Sequence, residues 1–285
     1  MGFLGNFVAP ATLVAGLLFY FGYVSSRAYF SYFGIDVDLL RLSNQGFVMR
    51  SPGALLLPAI VVLSLSALLV LGHRVLRRWT SSSGERARSV AVVFGAVGAV
   101  LLFTGLVFAG MYGALRSWDA SSFLTPLLLT AGAGFCAYAA AMSRSSRAER
   151  GGLGVVVLFV LVVAAGAFWT TATVAQSWGL GEARSQAADL SSLPAVVLDT
   201  RERLAPGNAD ITVQSLDEAS APVDAESGTQ TYRYRYYGLR LLVEGGGRLY
   251  LVPDRWSADA STLVIPFDDS VRLRFRFFPD ENPPV

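Results

Sequence analysis

Five arginines are the residues of this chain best spaced to do chemistry together. Arg233 and Arg235 alternate with tyrosines in TYRYRYYG, and Arg272, Arg274 and Arg276 alternate with apolar residues in VRLRFRFF. Successive side chains of a strand point to opposite faces, so each set lines one face. Such a row is the ordinary solvated side of a half-buried antiparallel strand. It is equally a cationic patch suited to anionic lipid, an envelope polymer or another envelope protein. The candidate binding patch is therefore Arg233, Arg235, Arg272, Arg274 and Arg276.

Other chemistry is harder to build. Asp254, Asp268 and Asp269 could supply the carboxylate pair of a glycoside hydrolase, but beside Pro253 and Ser270 they read as turn formers. Asp36 and Asp38, with Ser43 and Asn44, suggest a cation loop, yet the regular ligand ladder and distal Glu of a calcium site are missing. His73 is the single histidine, which removes a multi-histidine metal site, and Cys136 is the single cysteine, so it has no intrachain disulfide partner. GxSxG, HExxH, P-loop and CxxC patterns do not occur. The expectation is a protein that is not an enzyme, with no catalytic residue, no cofactor and no metal.

The elements that must position the arginines come in two kinds. Over the whole chain of 285 residues only 15% are charged, against about 25% in ordinary soluble domains. The shortfall is concentrated before residue 177, where 12 Arg face 5 acids, whereas 11 Arg face 16 acids beyond it. Two environments, rather than nucleic-acid binding, explain that asymmetry. Charge-free stretches near the roughly 20 residues needed to span a bilayer predict five transmembrane helices, at about 4–24, 53–71, 89–112, 122–142 and 153–175. Small residues recur in two of them, at Gly95, Gly98, Gly105 and Gly110 and from Gly132 to Ala141, and predict close backbone packing. Hydroxyl residues such as Thr130 and Thr170 are expected to bond back to their own helices.

Arginine counts set the orientation. Arg74, Arg77, Arg78, Arg86, Arg88, Arg144, Arg147 and Arg150 fall in loops on one side, and Arg27, Arg41, Arg50 and Arg116 on the other. By the positive-inside rule the N-terminus is cytoplasmic and the C-terminal domain lies outside. The outer loop of residues 25–52 carries Tyr29, Phe30, Tyr32 and Phe33, expected at the membrane interface. Ile35, Val37, Leu39, Leu40 and Leu42 are expected in a short amphipathic element on the bilayer.

Residues 1–176 thus form the expected membrane bundle and 177–192 a linker or helical extension. Residues 193–285 form a small, mainly antiparallel β domain, with Asp217 to Gln230 as a polar loop. GLRLLVE, three glycines and RLYLV predict a hairpin with Glu244 opposite Arg248 and with Leu241, Val243, Leu249 and Leu251 on one face. STLVIPF and VRLRFRFF predict a second hairpin turning at Asp268 and Asp269, with Val271, Leu273, Phe275 and Phe277 inward.

YFGIDVDLLRLSNQGFVMRS, GLRLLVEGGGRLYLVPDRW and DDSVRLRF resemble a family of multi-pass membrane proteins from streptomycetes and related actinobacteria. The resemblance covers nearly the whole chain and implies an integral membrane protein, but brings no activity and no catalytic residue with it. The resulting expectation is a non-enzymatic cell-membrane protein whose exported β domain binds a partner or envelope component, as scaffold or sensor. A small-solute transporter or channel component is the alternative.

Overall fold

The computed structural model describes residues 2–80, 84–115, 118, 120–142, 152–205, 207, 210–216, 232–257 and 259–276. Arg116, Arg144, Arg147, Arg150, Phe277 and the loop of residues 217–230 lie outside them. The helices are α1 (Gly2–Tyr32), α2 (Asn44–Thr80), α3 (Gly84–Gly110), the single turn α4 (Tyr112–Leu115), α5 (Ser121–Met142) and α6 (Gly152–Ala188). Stretches at Pro58–Leu76, Glu85–Gly110, Ser121–Met142 and Val157–Ala188 are long and apolar enough to cross a membrane. The predicted first span is helical within α1 but is not among those four.

The helices are longer than their apolar stretches because polar residues extend them. The Ser43 hydroxyl accepts from the Gly46 N–H at 3.1 Å and caps α2 well before the predicted start at Gly53. Pro58 consequently lies in the middle of the helix, not near its beginning, and leaves the Ala54 carbonyl without its usual donor. Residues 177–188 continue α6, so the extension reading of that segment describes it better than a linker.

Two compact units divide the chain, one of residues 52–175 and one of residues 1–51 with 176–285. In the first, α3 and α5 pack closely through small residues. A Cβ on Gly98 would meet the Cys136 amide and the Gly132 carbonyl, and one on Gly132 would meet the Leu102 amide. Gly110, grouped with them by sequence, has open space beside it. Gly132→Leu should lower the thermal midpoint of the detergent-solubilised protein, because overpacking of this kind costs about 1–3 kcal/mol; an unchanged midpoint would mean that the two helices can separate freely.

The second unit holds an antiparallel sheet of β1 (Ala195–Thr200), β2 (Thr212–Ser215), β3 (Tyr234–Gly245), β4 (Arg248–Pro253), β5 (Leu263–Pro266) and β6 (Val271–Phe275). Its order is β5-β4-β3-β1-β6, with β2 also on β3. β2 and β4 share one edge of β3, pairing with residues 234–237 and 239–245 respectively. Gly238, at φ 80°, separates the two pairings.

The predicted first hairpin forms with a different register. Gly246 and Gly247, both at positive φ, make a two-residue turn, so Gly245 sits opposite Arg248 and Glu244 opposite Leu249. An irregularity between Leu241 and Val243 then moves Val243 to the other face from Leu241. The predicted second hairpin does not form: β5 pairs with β4, and β6 pairs with β1 at the far side of the sheet. Val271 and Leu273 face the core as expected, whereas Phe275 is exposed.

Each sheet face has its own core. Val196, Leu198, Tyr236, Leu239, Leu249, Leu251, Ile265 and Val271 form one. The other joins Tyr250 and Val252 of β4 to Phe30, Phe33, Ile35, Val37, Leu40 and Phe47, with Ala183 and Leu190. Here the interfacial expectation is corrected in part: Phe30, Phe33, Ile35, Val37 and Leu40 are buried in this core with β4, Ala183 and Leu190, Tyr29, Tyr32 and Leu42 are partly buried beside it, and Leu39 is exposed. The contact is close at backbone level: a Cβ on Gly245 would meet the Leu40 carbonyl, and the Thr262 hydroxyl donates to the Phe33 carbonyl at 2.6 Å.

Candidate functional site

β1 brings the two arginine rows together. Asp199 is directly opposite Arg235 of β3 on one side and Arg272 of β6 on the other. Strand alternation puts Val196 and Leu198 into the core and turns Asp199 to the arginine face. The carboxylate is 0% exposed. The Arg235 Nε donates to it at 2.7 Å, and the Arg274 Nη2 lies 3.2 Å away. The hydrogen bond with Asp199 raises the Arg235 pKa, overcoming the opposing effect of burial.

The five patch residues therefore differ in role. Arg235 is 17% exposed and Arg274 42%, and both hold Asp199. Arg233, Arg272 and Arg276 are exposed, with no ion pair among the described residues. The sequence reading missed Asp199, whose only signal was one acid at an alternate position of an otherwise apolar strand.

Arg240 does structural work beside this patch. Its Nη1 donates to the Ser191 and Leu193 carbonyls, at 3.1 and 2.8 Å, and its Nε lies 2.9 Å from Asp254. It thereby fastens the 3-10 turn Leu190–Ser192 to β3. That turn begins at Asp189, whose carboxylate accepts from the Ser191 N–H at 2.9 Å.

Asp268, Asp36 and Asp38 are likewise engaged locally. Asp268 accepts from the side chain and backbone of Ser270, which hold its carboxyl below the usual range. Asp36 caps the turn Val37–Leu40 by accepting from the Asp38 N–H, and Asp38 accepts from the Tyr23 hydroxyl at 3.2 Å. No cluster of metal-ligating side chains occurs among the described residues.

In the apolar helices, Thr104, Thr125, Thr130, Thr170, Thr171 and Thr173 each donate to the carbonyl four residues earlier, as does Ser66. His73 Nδ1 and the Tyr138 hydroxyl are 2.8 Å apart.

No protein-family model, curated protein or solved structure matches the chain.

Proposed function

We propose that the chain is a multi-pass membrane protein of the cell envelope, with five crossings and a cytoplasmic N-terminus. Its β domain lies outside and binds an anionic partner or envelope component, as scaffold or sensor rather than enzyme. The observation that carries this reading is the arginine face of β3, β1 and β6, where the buried Asp199 carboxylate pairs with Arg235 and Arg274 and leaves the exposed Arg233, Arg272 and Arg276 without an ion pair among the described residues. Ser66 and six threonine hydroxyls of the apolar helices bond to their own backbones, which supports binding over transport.

Two measurements test the proposal. A reporter active only outside the cytoplasm should work when fused after Pro253 and stay silent at Ser82; the reverse pattern would invert the orientation. The full-length protein should attach to phosphatidylglycerol vesicles or polyglutamate at low salt and release as the Debye length shortens to about 8 Å near physiological ionic strength. Replacing the exposed Arg233, Arg272 and Arg276 by Gln should weaken attachment without unfolding the protein. Failure of the wild type to bind either probe would leave the arginines as a solvated face only.

A further inference from the structure

We infer that the outer edge of β6 accepts an acidic, extended peptide as an additional strand. The inference rests on the reading of the arginine face as a binding surface and names the partner that this face fits.

β6 is a terminal strand of the sheet. The Arg201 N–H donates to the Ser270 carbonyl and the Arg276 N–H to the Ala195 carbonyl. In an antiparallel ladder this register turns the backbone groups of Ser270, Arg272, Arg274 and Arg276 toward β1, and those of Val271, Leu273 and Phe275 outward. The Val271 N–H bonds the Asp268 carbonyl. The N–H and C=O groups of Leu273 and Phe275 remain on the open edge, without a strand beside them among the described residues.

The side chains flanking that edge specify the rest of the ligand. Arg272, Arg274 and Arg276 line one face, while Leu273 and the 63% exposed Phe275 line the other. A strand laid alongside would place alternate residues against the guanidinium groups and the intervening ones against Phe275 and Leu273. Acidic residues alternating with apolar ones fit both faces. Asp199 partly neutralises Arg235 and Arg274, leaving Arg272 and Arg276 for the incoming carboxylates.

The same charge row repels a second copy of β6, so the edge is guarded against self-pairing while open to an acidic strand. The other edges lack this combination: β5 ends in Pro266, which has no N–H, and β2 carries no charge. A lipid headgroup or flexible polymer would use the arginines but not the outward backbone groups. The open edge therefore favours a peptide.

The test uses the full-length protein in detergent and a labelled peptide of alternating Asp and Val, compared with the same residues arranged in two blocks. The alternating peptide should bind about tenfold more tightly, because only it can make the one or two edge hydrogen bonds while keeping its carboxylates on the arginine face and its valines on the Phe275 face. Phe275→Pro, which removes an outward N–H, should abolish that preference, whereas Phe275→Ala should retain most of it. Methylating alternate amides of the peptide makes the same test from the ligand's side should the proline variant lose its thermal transition. Equal binding of both peptides, or indifference to amide methylation, would overturn the added-strand inference while leaving the basic-face reading intact. If neither peptide nor phosphatidylglycerol vesicles bind at low salt, both readings fail.

Discussion

Residues 193–285 produced alone should show no cooperative unfolding transition, although they contain all six strands. The sequence alone favours the opposite result, because a β domain of this length is large enough for a core. The β4 end of one sheet face, however, is finished by other parts of the chain. Tyr250 and Val252 are buried against Phe30, Phe33, Ile35, Val37, Leu40 and Phe47, with partly buried Leu242, Val243 and Trp256 around them. Burial of each large apolar side chain contributes about 1.5–3 kcal/mol. Exposing Tyr250 and Val252 together therefore removes about 3–6 kcal/mol, comparable with the 5–15 kcal/mol net stability of a typical domain. Removing the end of α6 and the turn after it also takes away Ala183 and Leu190.

A single chain joining residues 25–51 to 176–285 through a flexible linker should regain the transition, measured by near-ultraviolet circular dichroism during heating. A sharp transition in the 193–285 fragment would show that the outer loop merely rests on a sheet already stable without it. Loss of the transition in both pieces would instead make intact α1 part of the folding unit. Gly22 and Gly179 already indicate close helix packing there: a Cβ on either would run into a backbone carbonyl, of Phe47 or Ser25.

How much of this was legible in the sequence depended on the range of the information. Apolar length identified the four long apolar spans, and small residues marked the approach of α3 to α5, because both signals are local. Alternation marked β3, β4 and β6. It could not specify that β6 would bypass β5 and pair with β1, a choice made by contacts between residues 195–200 and 271–275. Nor could alternation anticipate the irregularity near Leu242, which shifts later side chains of β3 to the other face. The aromatic cluster after α1 has the composition of a membrane interface, but a sheet face offers Tyr29, Phe30, Tyr32 and Phe33 an equally apolar surface. The site followed the same pattern: sequence gave the arginine rows, while strand order gave their meeting at Asp199.

Asp199→Ala should destabilise the full-length protein substantially and, at the same time, strengthen its attachment to anionic probes. Removing the carboxylate leaves Arg235, only 17% exposed, without its nearest partner and beside Arg274. Breaking a buried ion pair from one side typically costs about 3–5 kcal/mol; the 42% exposed Arg274 can regain water, which places this case toward the lower end. Arg274→Gln should cost much less, since the Arg235 contact survives and exposed pairs contribute about 0–1 kcal/mol. Binding should move in the opposite direction, because the face gains one net positive charge in Asp199→Ala and loses one in Arg274→Gln. Thermal midpoints and low-salt attachment to phosphatidylglycerol vesicles, measured below the lower midpoint, separate these effects. Equal midpoints for the two variants would remove Asp199 as the anchor of the β3-β1-β6 face. Weaker attachment of Asp199→Ala while still folded would show that the carboxylate holds the arginines in their binding arrangement, not that it competes with the ligand for them.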